Sequence, residues 1–256
     1  MSLLSRLFKS DSDNNKTDYA KEISLLIGCE YSELPANCSK NALLKLYLDE
    51  YEKGRKTGYI PVIVVAGSTL LESIELNIED CDSIDSYRNS VVNQPLSDSR
   101  DILNSRFEQC LSCIDDGYDV FGDFSGKINP CSCFLCVDKS DLDKDEKLVL
   151  FRIPVKEPWE IFSYIPFGGW NECPETAEMI SVCKYWYENY GAVPSLIKSD
   201  TLEMYVFKPI DNTDTAFDVA KEQYGFCNDT VDQGTGTIKS LAETLVNSTV
   251  WFFWWD

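Results

Sequence analysis

Gly168-Gly169-Trp170-Asn171-Glu172-Cys173-Pro174, and the aromatic text that follows it as far as Trp251-Phe252-Phe253-Trp254-Trp255-Asp256, hold the clearest pattern of secondary structure in the chain. Pro174 suits the first turn of a helix, which runs to Tyr190 and stops at Gly191. Met179, Val182, Trp186 and Tyr190 recur on one face of that helix, so it packs inward. Val193 to Lys198 and Leu202 to Lys208 read as two strands joined through Ser199-Asp200, a hairpin. A helix from about Thr215 ends near Gly225, and another from Ile238 to Val246 follows Gly234-Thr235-Gly236-Thr237. The terminal aromatic run predicts a strand buried on both faces.

Upstream, leucines and tyrosines recur at helical spacing from Asn41 to Tyr51, and the pattern breaks between Gly54 and Gly58. Tyr59-Ile60-Pro61-Val62-Ile63-Val64-Val65 reads as a buried strand. Thr69 and Glu72 have capping-box spacing for a helix through about Asn77. Residues 72–147 carry 18 acidic and 7 basic side chains, a net of −11. With Asn93-Gln94-Pro95, Asp115-Asp116-Gly117 and Gly122-Asp123, this middle predicts one helix over Ser99 to Ile114 among long loops. A strand resumes over 147–154. The fold class is therefore α+β: one central sheet flanked by helices, with an acidic, loop-rich middle. The expected organisation is a flexible segment 1–17, a helix–strand–helix unit plus the cysteine-containing middle over 18–147, and a C-terminal unit over 148–256 that shares its core.

The 256 residues include no histidine. That removes the commonest general base near neutral pH and the commonest metal ligand. Ser-His-Asp and Cys-His hydrolysis within the chain are excluded, and so are His-containing zinc sites. Any catalysis has to run on carboxylates, Cys, Lys, Tyr or backbone. A net charge of −20 opposes nucleic-acid or anionic-membrane binding; either it only keeps the protein soluble or, if it serves recognition, the partner is a basic protein. The N-terminal text has neither the apolar core nor the small-residue cleavage site of a secretory signal, and no run approaches a bilayer span, so the expected setting is cytoplasmic. Leu3, Leu4, Leu7 and Phe8 form an apolar helical face that docks on the body or touches a membrane, docking being favoured by the missing basic cluster. Eleven cysteines, an odd number, read as reduced thiols.

Taken together, Pro166-Phe167-Gly168-Gly169-Trp170-Asn171-Glu172-Cys173-Pro174, Tyr185-Trp186-Tyr187-Glu188, Tyr190-Gly191-Ala192, Asp200-Thr201-Leu202-Glu203, Ala220-Lys221-Glu222-Gln223-Tyr224 and the terminal Trp251 to Asp256 resemble a bacterial family known as a domain of unknown function, number 4253. The resemblance covers roughly residues 148–256 and, loosely, Gly58 to Val65. It implies a fold and a cytoplasmic bacterial setting, and no reaction. The cysteine-rich middle lies outside it.

Several residues are candidate sites. Cys110-x-x-Cys113 and Cys133-x-x-Cys136 have the spacing of a four-cysteine zinc ribbon, set against thiols simply packed in a loop or core. Cys173 precedes a helix, where dipole and free amides would lower a thiol's pKa, although no histidine can act as its base and Glu172 opposes its ionisation. Trp170, Asn171, Glu172 and Cys173 therefore make a ligand-binding loop the alternative to an ordinary cap. Asp200 and Glu203, with Glu172 and Asp232, are candidates for a carboxylate cluster, and separately they read as turn and solvated-face residues. Asp141-x-Asp143-x-Asp145 fails as a calcium loop, with Glu146 and Arg152 where glycine and the bidentate Glu belong. Gly234 to Thr237 reads as helix capping by Thr237 rather than a phosphate cradle. Two functional expectations follow. The first is a non-enzymatic acidic module, of inhibitor or immunity type, that captures a basic partner. The second is a histidine-independent enzyme or small-molecule binder using the Gly168 to Pro174 loop.

Overall fold

The structure is a computed structural model that describes residues 17–35, 38–115, 117–137 and 142–256. The N-terminal apolar face at Leu3, Leu4, Leu7 and Phe8 lies outside the described residues. The elements are α1 (Tyr19–Ile27), β1 (Tyr31–Glu33), α2 (Lys40–Thr57), β2 (Ile60–Ala66), α3 (Ser68–Asn77), α4 (Ile84–Asn93), α5 (Ser99–Ser112), β3 (Lys147–Ile153), α6 (Thr176–Tyr190), β4 (Ala192–Ile197), β5 (Thr201–Val206), α7 (Thr213–Phe226), α8 (Ile238–Leu245) and β6 (Val250–Trp254). A 3₁₀ turn at Pro158–Ser163 precedes α6, and a π-helical turn at Thr230–Thr235 precedes α8.

The six strands form one mixed sheet in the order β1-β3-β2-β4-β5-β6. β2 runs parallel to β4, and every other neighbouring pair is antiparallel. β2 is buried at all seven positions, as its unbroken β-branched text requires of a strand covered on both faces. It lies between β3 and β4, so the N-terminal unit supplies the strand that joins the two halves of the sheet.

On one face, α6 and α7 lay an aromatic layer over β6. Trp186 stacks on Phe253 with centroids 5.4 Å apart, and Phe226 meets both rings edge-on at 4.9 and 5.1 Å. Offset and edge contacts of this kind add to plain area burial, and truncating one such buried ring costs about 3–5 kcal/mol. On the other face, Tyr47 of α2 accepts a hydrogen bond from Ser195 of β4 at 2.8 Å and meets Phe134 of the middle segment edge-on at 5.6 Å.

Besides α1 and β1, which the sequence reading did not contain, the fold departs from it in five places, each for a local reason. α2 continues through Gly54, because a Cβ there would stand 2.3 Å from the Tyr59 carbonyl oxygen; the helix stops at Gly58, whose φ of +91° is left-handed. α3 uses no Thr69–Glu72 box: its N-cap is Gly67, and the missing acceptor comes from Asp145, which takes the Ser68 N–H at 3.1 Å and its hydroxyl at 2.7 Å. The middle holds a second helix, α4, capped by Ser83 and buried through Tyr87 and Val91. α7 runs through Gly225, where a Cβ would meet the Leu103 carbonyl oxygen of α5 at 2.7 Å, so glycine there permits helix packing rather than ending the helix. The terminal strand is not buried on both faces. As the edge strand it buries Trp251 and Phe253 under α6 and α7 and leaves Phe252 and Trp254 half-buried on the other side.

The insertion of β2 between β3 and β4 fixes what a truncation does. Residues 149–256 expressed alone are expected to show no cooperative thermal unfolding by circular dichroism, whereas a chain starting at residue 17 unfolds in one transition. A sharp transition in the short chain would contradict the dependence on β2.

Candidate functional site

The Gly168 to Pro174 loop is a tight, internally bonded turn. Gly168 and Gly169 have φ of +100° and +80°, and a Cβ on Gly168 would lie 1.9 Å from the Pro174 carbonyl oxygen, so only glycine fits. The Gly169 N–H donates to the Pro174 carbonyl at 3.1 Å and the Cys173 N–H to the Trp170 carbonyl at 2.9 Å. Trp170 packs edge-on against Phe167 at 4.9 Å. Asn171, itself in the left-handed region at φ 45°, donates its side-chain N–H to the Asp256 carbonyl at 2.6 Å.

Cys173 corrects the expectation of an activated thiol. It is 5% exposed, and burial pushes its pKa far up, with only a partial opposing pull from the Arg106 guanidinium. The thiol points into the core instead of standing at the mouth of α6, so the helix dipole has no exposed thiolate to stabilise. Glu172, next to it, is exposed, and its backbone carbonyl accepts from Arg106 of α5.

Glu172 faces a cleft of about 490 Å³ formed where the end of α5 and the turn after it meet α7 and the π-helical turn. Three carboxylates line it, those of Asp115, Glu172 and Asp232, together with Tyr118, Tyr224, Cys110 and Cys113, and no lysine or arginine is among the described residues that do. Asp232 is held in place by the Tyr224 hydroxyl at 3.2 Å and the Asn228 side-chain N–H at 3.2 Å. Tyr118 is anchored by its hydroxyl to the Gly236 carbonyl at 2.5 Å. Burial raises the Cys110 thiol to about 11, with Asp232 and Glu172 adding to the effect against the pull of Arg106, so it stays protonated near neutral pH.

The zinc ribbon is not assembled. α5 packs on α7, which turns the Cys110 Sγ toward the Tyr224 carbonyl at 3.8 Å, while the turn bearing Cys133 and Cys136 is drawn onto β5. Among the described residues, no three Cys, Asp or Glu side chains are grouped as metal ligands. The proposed carboxylate cluster separates likewise: Glu172 and Asp232 share the cleft, and Asp200 and Glu203 do not line it. Asp200 accepts the Thr201 hydroxyl at 2.9 Å, and its backbone carbonyl accepts the Trp255 N–H. Of the aspartates in the discarded calcium motif, Asp141 lies outside the described residues and Asp145 caps α3. Glu146 pairs with Lys198 at 3.2 Å. Thr237 caps α8 by accepting the Ser240 N–H at 3.2 Å, as its position suggests.

Glu203 is fully buried, contrary to its reading as a solvated-face residue. Strand alternation places it with Tyr205 and opposite Phe252, on the face covered by the middle segment. Its oxygens accept the Leu135 N–H at 2.8 Å and the Cys136 N–H at 2.8 Å. Desolvation lifts its pKa to about 7, against the lowering effect of those two amides and of Lys40. A lone carboxylate inside an otherwise apolar strand is the signal that such donors must exist.

With this geometry in view, the comparisons with known proteins place half the cleft. Residues 149–256 match a family model described as Domain of unknown function (DUF4253). Over these residues the chain is similar to that family. They include β3 from Val149 onward, β4 to β6 and the Glu172, Tyr224, Asn228 and Asp232 wall of the cleft, while the Gln109 to Tyr118 wall precedes the DUF4253 match. Neither the curated proteins nor the solved structures contain a match to this chain.

The raised pKa of Glu203 has a definite sign. Between its ordinary 4.5 and about 7 the folded state holds the extra proton, so this group's stabilising contribution is present below pH 4.5 and is lost as pH rises through 7. The full swing is about 3 kcal/mol. Urea unfolding of the parent and Glu203→Gln is expected to show the parent losing stability relative to the variant between pH 5 and 8. A constant difference across that range would contradict the assignment.

Proposed function

We propose that this is a non-enzymatic binding protein that captures a basic protein, and that the cleft receives an arginine or lysine side chain of that partner. The observation that carries the reading is the convergence of Asp115, Glu172 and Asp232 beside Tyr118 and Tyr224, with no lining lysine or arginine among the described residues. A guanidinium entering there meets carboxylates it can bond and aromatic rings it can lie against. The excess negative charge of the chain steers such a partner over longer distances, in the manner of an inhibitor or immunity protein. Free thiols on all eleven cysteines are in keeping with a reducing compartment such as the cytoplasm.

The competing reading, an enzyme centred on the Gly168 to Pro174 loop, has less to support it. Cys173 is buried and protonated, and Trp170 and Asn171 are engaged in holding the loop to Phe167 and Asp256. What the loop contributes to the binding reading is Glu172, displayed at the cleft edge.

An oligo-arginine peptide titrated by calorimetry tests the site. Asp115→Asn, Glu172→Gln and Asp232→Asn combined are expected to weaken binding at least tenfold, whereas neutralising Glu72, Glu75 and Glu79 on and just beyond α3 changes it no more than general charge loss does. Raising salt from 0.05 to 0.5 M should weaken the parent and largely erase the difference. Equal losses from the two triple variants would overturn the cleft as the receptor.

A further inference from the structure

A second cavity, of about 510 Å³, opens at the free edge of β6, on the far side of the π-helical turn from the acidic cleft. Its walls are the Asn129 to Leu135 turn, the π-helical turn, α8 and the outer edge of β6, and Phe252, Trp254, Leu241 and Leu245 make most of it apolar. One buried donor stands in its lining with no hydrogen-bond partner, the side-chain Nε2 of Gln223, a residue 1% exposed. An unpaired buried N–H costs about 1–3 kcal/mol and marks a place where an acceptor is missing.

We propose that this cavity binds a neutral, flat, largely apolar small molecule that presents a carbonyl-type acceptor to Gln223. Among the described residues the lining contains no lysine or arginine to balance an anion. The one carboxylate among them, Asp229, is already engaged by the Gln233 side chain at 2.9 Å and the Asp256 N–H at 3.1 Å, so it does not call for a cation. The size and mostly apolar walls suit a compact ligand held by a few polar groups. A peptide strand added to the edge of β6 is disfavoured because that edge is closed at both ends. The Val250 N–H donates to the Cys131 carbonyl at 3.2 Å, and the Trp254 carbonyl accepts from the Cys227 thiol at 3.0 Å. The same strand parity directs the backbone of Phe252, between them, outward into the cavity.

The site also explains why Phe252 and Trp254 stay half-buried on an edge strand whose other side chains are covered: their faces form a wall for the bound molecule. It is separate from the acidic cleft, so the two readings stand or fall independently.

Nile red, a neutral planar dye with a carbonyl acceptor, and pyrene, flat and apolar without one, are the probes, read by fluorescence titration of the full chain. Nile red is expected to bind saturably at one site and to lose about tenfold in affinity in Gln223→Leu. Thr244→Trp, which fills the cavity from α8, should abolish binding of both dyes, and pyrene should bind Gln223→Leu as well as it binds the parent. Three results overturn the proposal: no saturable Nile red binding by the parent, unchanged Nile red affinity in Gln223→Leu, or unchanged binding in Thr244→Trp.

Discussion

Glu203 of β5 and Glu243 of α8 each turn a buried carboxylate toward backbone amides of the acidic middle segment, and the position of that segment depends on them. Glu203 takes the Leu135 and Cys136 N–H groups, and Glu243 takes the Gly126 N–H at 2.5 Å and the Ser125 hydroxyl at 2.7 Å. The Ser125 hydroxyl bond holds the Glu243 carboxyl below its ordinary pKa, whereas burial lifts that of Glu203. A segment with little apolar content cannot secure itself by hydrophobic burial alone, and its side-chain charge repels carboxylates. Its backbone donors do the opposite, and two buried acceptors exploit them. Ile238 and Lys239 at the start of α8 add backbone bonds to Val120 and Phe121, and Phe134 closes the arrangement by inserting against Tyr47.

The apolar cavity follows from this fastening, and the acidic cleft from a separate one. The Asn129 to Leu135 turn becomes a wall of the apolar cavity because Glu203 draws it over β5 and β6. The Gln109 to Tyr118 wall of the acidic cleft is set by α5 lying on α7 and by Tyr118 reaching Gly236. The segment matched by the DUF4253 model therefore provides one side of each site, and residues outside the match provide the other. A description of function confined to the matched residues would miss half of each lining.

The regular elements were legible because their signals are local. The apolar periodicity of α6, the β-branched run of β2 and the hairpin of β4 and β5 each lie within a single window of sequence, and so do the caps at Gly191 and Thr237. What was not legible depends on partners distant in the chain. Asp145 caps α3 across 77 positions, and nothing around Thr69 hints at it. Gly54 and Gly225 resemble helix ends in isolation and are close contacts in space. Of the candidate site residues, Glu172 and Asp232 do meet at one cleft, but the zinc spacing of the four cysteines failed because α5 and the Cys133 to Cys136 turn are drawn to different elements. Glu203 was the most informative miss: its place between Leu202 and Met204 in a strand already implied burial, and burial implied donors.

The claim on which the apolar cavity and the placement of residues 125–136 rest is that two carboxylates fasten the middle segment. Amide hydrogen exchange resolved at Gly126, Leu135 and Cys136 tests it most directly. The account predicts slow exchange at all three in the parent, selective loss of protection at 135–136 in Glu203→Ala and at 126 in Glu243→Ala, with the amides of β2 protected throughout. Free exchange of these three amides in the parent protein, with β2 still protected, would contradict it.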